Sequence, residues 1–173
     1  MSHAGLRLIV VDDEPRQREI VADILEDEGH TVEAYGRADE VLARLKRGPV
    51  DLLITDLRMP GTDGLELLRA AREEVPELLI ILMTAFATVD SAVQAMKDGA
   101  FDYLQKPFSR DQLVSHVRRA AAQRALMREN TQLRKRLRHD ATTRILGESP
   151  AIVRFRKQLD RVAAGRADVL VLG

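Results

Sequence analysis

The strongest constraint on this chain is a set of short apolar runs that hardly alternate. "LRLIVV" from Leu6, "DLLIT" from Asp51 and "LLIILMT" from Leu78 would each place apolar side chains on both sides of an extended backbone, because successive residues of a strand face opposite ways. Such strands must be covered on both faces, which is the condition of a parallel sheet flanked by helices. Two further runs, "TVEAY" from Thr31 and "FDYLQ" from Phe101, complete the set, and "TVEAY" reads as an edge strand. Longer stretches of helical period lie between and after these five runs, so the chain up to about Ala122 reads as βα repeats around one sheet.

Five strands and five helices of this kind predict an α/β fold with a flavodoxin-like, doubly wound parallel sheet of order 2-1-3-4-5. Its switch point lies between the first and third strands, and ligands bind there, beyond the carboxyl ends. That topology brings Asp12 and Asp13, which end the first strand in "VVDDEP", beside Asp56, which ends the third. Two unit charges about 4 Å apart at an effective dielectric of about 20 repel by roughly 4 kcal/mol, a large part of the roughly 5–15 kcal/mol that keeps a domain folded. Something cationic should therefore sit among them. A hard divalent ion with oxygen ligands fits, and Mg²⁺ suits a site of few carboxylates that leaves room for water and a phosphoryl group.

The remaining strand ends supply the complement. Thr84 closes the fourth strand with a hydroxyl and Lys106 the fifth with an ammonium. Together they could neutralise phosphoryl oxygens during an in-line transfer to a carboxylate. Each residue also has a plainer reading. Asp12 or Asp13 could cap the first helix, with Pro15 in its first turn. Asp56 could form a turn before "MPGTDG", Thr84 could cap the helix after Ala87, and Lys106 could be solvated. It is their joint arrival at the right strand ends that favours chemistry.

Composition narrows the alternatives. At 173 residues, 45% hydrophobic and 31% charged, the chain supports one well-cored domain plus a remainder. Aromatics are 3%, with no Trp, so nothing suggests a base-stacking or sugar-binding surface. Cysteine is absent, which removes disulfides, thiolate metal sites and a Cys nucleophile, and the four scattered histidines do not form a zinc pattern. No apolar run approaches the ~20 residues of a membrane span and no signal region opens the chain, so a cytoplasmic protein is expected. The formal net charge is zero, giving no bulk attraction to nucleic acid.

From Ser109 the helical pattern runs on through "VSHVRRAAAQRALMRENTQLRKRLRHD" without Gly or Pro, which predicts one extended C-terminal linker helix. Leu126, Asn130, Leu133 and Leu137 fall at four-three-four spacing, the seam of a short coiled coil, with Asn130 where a buried polar residue fixes register in a two-stranded state. A solvated helix with its leucine stripe packed on its own domain is the competing reading. After "GESP" a further helix is expected over Ala151–Ala163, leading into the apolar "ADVLVLG" as if into the first strand of another domain.

With these pieces in order, residues Leu6 to Ala122 resemble the receiver domain of a bacterial two-component response regulator. The resemblance is carried by "VVDDEP", "LLITDLRMPGTDGLELL", "MTAFA" and "GAFDYLQKPF", and it covers about two thirds of the chain. It implies that Asp56 accepts a phosphoryl group from a sensor histidine kinase. Asp13 and Asp56, with the backbone carbonyl of Arg58, would hold Mg²⁺, and Asp12 would help through water. Thr84 and Tyr103 would be the switch pair, the hydroxyl moving to the phosphoryl group and the ring turning inward. Lys106 would pair with phosphoryl oxygens, its peptide to Pro107 cis. Such a module is a phosphoacceptor that catalyses its own transfer and slow dephosphorylation, not an enzyme acting on other substrates.

"GESPAIVRFRKQL" and "DVLVLG" resemble the opening of the ATPase domain in activators of the NtrC type, which work with the sigma-54 form of RNA polymerase. The resemblance divides the chain into a receiver (1–122), a helical coiled-coil linker (123–140) and the N-terminal stub of an AAA+ domain (141–173). It implies a homodimer through the fifth helix and linker, with polymerase and DNA reached only through further domains. With no Gly, Lys and Ser/Thr of a phosphate loop by Gly173, ATPase activity is not expected. Three other functions compete with this one. A Mg²⁺-dependent phosphatase of the haloacid dehalogenase class wants a second acid two positions after its nucleophile, where Arg58 stands. A flavin module wants a Ser/Thr/Gly-rich loop after the first strand. DNA binding through Arg118–Arg138 competes with a coiled coil whose basic faces are simply wet.

Overall fold

The computed structural model describes residues 5–85, 88–142 and 149–163. The elements run β1 (Arg7–Val11), α1 (Pro15–Asp27), β2 (Thr31–Tyr35), α2 (Ala38–Leu45), β3 (Leu52–Asp56), α3 (Gly64–Glu74), β4 (Leu79–Thr84), α4 (Val89–Lys97), β5 (Asp102–Gln105), α5 (Arg110–Thr142) and α6 (Pro150–Ala163). All four strand pairings are parallel, in the order β2-β1-β3-β4-β5. The predicted doubly wound sheet is therefore the observed one, with "TVEAY" at its edge. Boundaries move by a residue or so: β3 takes in Asp56, β5 starts at Asp102, and α6 begins at Pro150. The strand expected in "DVLVLG", the first two residues of "GESP" and the side chain of Leu137 lie outside the described residues.

The unalternating runs are explained by what covers them. Ile9, Val11, Leu53, Ile80 and Leu82 share one core cluster with Val41 and Leu45 of α2, Leu67, Leu68 and Ala71 of α3, and Ala95 of α4. Strand alternation sends Leu8, Val10, Leu52, Ile54 and Ile81 to the opposite face, where they too are buried, together with Val21 and Leu25 of α1 and Leu113, Val117 and Ala120 of α5. Arg110 bridges Asp27 at 3.0 Å and Glu28 at 3.2 Å, and Arg118 reaches Glu28 at 3.1 Å, fastening α5 to the end of α1. The hydrogen bonds from these two guanidinium groups hold the Glu28 carboxyl below the usual carboxylate range.

α5 is a single helix of 33 residues, as the absence of Gly and Pro predicts. The chain divides into two compact units between Leu126 and Met127, partway along this helix. No helix among the described residues is long and apolar enough to cross a membrane.

One glycine decides how closely the loop after β3 can fold back. Gly64 opens α3 behind Asp63, whose side chain accepts the Glu66 N–H at 2.8 Å as an N-cap. The Gly64 N–H donates to the Leu57 carbonyl at 2.8 Å. A Cβ at this position would lie 2.3 Å from the Asp56 carbonyl oxygen and 2.8 Å from Leu57 Cα, so any side chain must push the backbone that carries Asp56. Gly64→Ala is therefore expected to destabilise the domain by about 1–3 kcal/mol. A urea titration checks this, and a midpoint equal to the parent's would show that the loop yields freely.

Candidate functional site

Each site residue is delivered by a strand end. β1 stops at Val11, leaving Asp12 buried and Asp13 exposed; β3 ends on Asp56, β4 on Thr84, and Lys106 follows β5. The Lys106 N–H donates to the Thr84 carbonyl at 2.7 Å, which fixes the start of the loop after β5 against β4. The Lys106–Pro107 peptide is cis.

Asp12, Asp13 and Asp56 come together as the topology requires: one carboxylate oxygen from each lies within 4.8 Å of the others. The cation that electrostatics demands is present. Lys106 Nζ donates to Asp12 Oδ2 at 2.6 Å and to Asp56 Oδ2 at 2.7 Å. These charges are largely withdrawn from water, with side-chain exposures of 13% for Lys106, 1% for Asp12 and 14% for Asp56. Burial works against the ammonium, but the hydrogen bonds and attraction of both carboxylates outweigh it, so the Lys106 pKa is raised above its ordinary 10.5.

The plainer readings are partly true and do not compete with this. Asp12 Oδ1 accepts the Glu14 N–H at 3.0 Å, and Asp56 Oδ1 accepts the Arg58 N–H at 3.2 Å, so both acids also shape their own turns. The N-cap residue of α1 is Glu14, whose side chain makes no capping bond. α4 is capped by Thr88, through a box with Ser91, and not by Thr84. Thr84 is buried at the site end of β4.

Several contributing residues gave no signal in the sequence. Arg18 NH1 donates to the Asp12 carbonyl at 2.6 Å, and Thr55 Oγ1 to the Asp56 carbonyl at 2.9 Å, which orients the backbone at two of the three acids. The Tyr103 hydroxyl lies 3.1 Å from Ser91 Oγ, which itself donates to the Thr88 carbonyl at 2.9 Å. The aromatic singled out beside Lys106 is thus tied to the first turn of α4. Three of the basic residues read as wet faces of a coiled coil are instead paired with acids of the sheet domain: Arg118 with Glu28, Arg119 with Asp102, and Arg124 with Asp51.

The donor set suits a small hard cation. Oxygens around an octahedral ion with bonds of about 2.1 Å lie about 3–4.2 Å apart, a spacing comparable with the 4.8 Å that bounds this cluster, and exposed Asp13 leaves one side open. Three all-oxygen ligands with room for water match Mg²⁺ and not a zinc site.

Residues 8–118 match the family model described as "Response regulator receiver domain". The chain is 41% identical to the C4-dicarboxylate transport transcriptional regulatory protein DctD of Pseudomonas aeruginosa, an alignment covering 98% of this chain and 37% of that protein. The chain therefore spans little more than a third of the length of this curated relative. Among solved structures, NtrX from Brucella abortus superposes with a TM-score of 0.71 at 35% identity, covering 92% of this chain and 35% of that one. The beryllofluoride-activated NtrC4 receiver domain dimer gives 0.66 at 30% identity, covering 68% and 98%.

Replacing Lys106 leaves buried Asp12 facing Asp56 without its amine. Lys106→Met is expected to cost about 3 kcal/mol in chelator and to regain part of that when Mg²⁺ is added. Because the folded pKa of Lys106 is raised, its contribution is fully present below 10.5 and lost as pH rises through the folded value. The parent should lose this increment in strong alkali and Lys106→Met should not. Urea titrations with and without Mg²⁺ measure both effects, and equal midpoints for parent and variant would contradict them.

Proposed function

The chain belongs to the response regulator receiver family, of the type found in DctD and NtrC, and on that premise we propose that Asp56 is its phosphoacceptor. The observation that carries the reading is the bridging of Asp12 and Asp56 by one ammonium within a cluster of three acids. In the transfer, an Asp56 carboxylate oxygen attacks the phosphorus of a phosphohistidine on a sensor kinase. A P–O bond forms, the P–N bond breaks, and the departing imidazole keeps the electron pair. Mg²⁺, held by Asp13, Asp56 and the Arg58 carbonyl with Asp12 behind a water, would supply charge neutralisation for the phosphoryl oxygens.

The protein's own groups do the rest. Lys106 gives up its Asp56 contact to pair with a phosphoryl oxygen while keeping Asp12, and Thr84 brings its hydroxyl to another. Tyr103 then exchanges its Ser91 partner for an inward position, which frees the first turn of α4. Support for this route is the Tyr103–Ser91 contact at 3.1 Å together with the poor burial of α4, where Val93 and Met96 are 46% and 50% exposed.

The division into receiver (1–122), linker (123–140) and AAA+ stub (141–173) completes the proposal, with homodimerisation through α5 and the linker seam. Leu126 and Leu133, at 61% and 49% exposure, support that seam. The module would then control an ATPase that works with sigma-54 RNA polymerase on DNA, in the cytoplasm. A haloacid dehalogenase phosphatase finds no support: the family match is to receivers, and the place of its second acid holds Arg58, whose N–H is bonded to Asp56.

Sedimentation with Mg²⁺, with and without beryllofluoride, tests the acceptor: the parent should change its assembly state and Asp56→Asn should not. An assembly state indifferent to beryllofluoride in the parent would refute the switch. Leu133→Arg should dissociate the dimer; if it stays dimeric, the seam lies elsewhere.

A further inference from the structure

Among the described residues, the phosphoryl chemistry leaves one fully buried carboxylate unused. Asp51 stands just before β3, at the end of the sheet opposite the acid pocket, and is 1% exposed. Its N–H donates to the Arg7 carbonyl at 2.9 Å, and its Oδ2 accepts the Arg7 N–H at 3.1 Å and Arg7 Nε at 3.4 Å. Oδ1 accepts Nε of Arg124 at 3.3 Å. Arg124, with 13% side-chain exposure, also donates to the Glu77 carbonyl at 3.3 Å and lies 3.7 Å from the Glu77 carboxylate.

The place of Arg124 on α5 is what gives this pair meaning. Leu113, Val117 and Ala120 form the buried stripe of the helix, and the next position of that stripe, four residues on, is Arg124. Two residues later Leu126 is 61% exposed. At Arg124 the fully buried apolar stripe of α5 therefore gives way to an ion pair. For stability alone a Leu or Met would serve at least as well, because desolvating two charges offsets most of what their attraction returns. What the ion pair adds is direction, since a guanidinium bonded to both a carboxylate and a carbonyl fixes one helix orientation where apolar packing tolerates several.

The elements gathered at this end are also informative. Arg7 starts β1, Asp51 precedes β3, and Glu77 lies two residues before β4. Those same three strands deliver Asp12, Asp56 and Thr84 at their other ends. Each is a largely buried segment of five or six residues, about 17–20 Å long, which joins the pocket to this end of the sheet.

We propose that the Asp51–Arg124 pair is a latch that positions α5 where it runs on from the receiver into the linker, and that phosphorylation at Asp56 reaches the linker, and so a second copy of the chain, through it. This rests on the acceptor and seam reading given above. Arg124 is a positioning residue: it touches neither the acids nor any reacting atom.

Amide hydrogen exchange over residues 121–135 of the whole chain, in Mg²⁺ with and without beryllofluoride, tests the latch in the parent, Arg124→Met, Asp51→Asn and Arg124→Lys. Fluorine NMR reports beryllofluoride binding in the same samples. Without beryllofluoride, Arg124→Met and Asp51→Asn should exchange this segment about tenfold faster, with the strands unchanged. With beryllofluoride bound, the parent should alter exchange there, the two variants should not, and Arg124→Lys should recover part of the response. A resting rate equal to the parent's, or variants that respond as the parent does, would overturn the latch. Absence of bound beryllofluoride in the parent would instead sink the acceptor reading, while the resting rates still decide whether the latch holds the helix.

Discussion

A single ammonium lets this receiver gather its acids. Asp12, Asp13 and Asp56 are driven to one corner by the sheet order, and without compensation their repulsion would approach the stability of the whole domain. Lys106 Nζ answers by bonding Asp12 and Asp56 together at 2.6 and 2.7 Å. On the proposed function, the same contact makes the site responsive. An amine shared by two carboxylates can keep one and release the other when new negative charge arrives, and the groups around it are placed to follow.

The rest of the fold keeps that corner fixed. Apolar strands buried on both faces hold the acids in register, and Gly64 lets α3 begin within contact of the Asp56 backbone. α4 and the end of α5 are held by attachments with a large polar share. α4 buries only Ala95 among its described side chains and is tied to β5 through Ser91 and Tyr103. At its other end α4 is followed by Asp98, bound to Arg69 of α3 at 2.6 Å. α5 is packed by Leu113, Val117 and Ala120 but finishes on Arg124. Helices held at their ends by directional polar contacts can exchange partners without opening the core.

Much of this was legible from the residues because it is periodic or terminal. Apolar runs without alternation gave the central strands, and βα repetition with an edge-like "TVEAY" gave the order, which in turn placed Asp12, Asp56, Thr84 and Lys106 at strand ends. The long helix followed from a lack of breakers. What stayed hidden were pairings between distant residues that carry no spacing signature. Asp51 resembles a turn residue after Pro49, and Arg124 is one of many bases in a charged helix; their bond joins positions 73 apart in sequence. Ser91 was obscured because capping competes for its hydroxyl, so its contact with Tyr103 depends on how α4 lies against β5. Thr84 reads as a cap for the helix that Thr88 in fact caps, since both hydroxyls precede the same helix.

On this reading Lys106 and a divalent ion share the task of neutralising one acid cluster. Lysine side-chain NMR during a Mg²⁺ titration addresses it most directly. The Lys106 ε-methylene and ammonium signals should shift together with the carboxyl carbons of Asp12, Asp13 and Asp56, along one saturating curve. Mg²⁺ that leaves the Lys106 signals unmoved, or that perturbs carboxylates elsewhere in the chain and not these three, would contradict it.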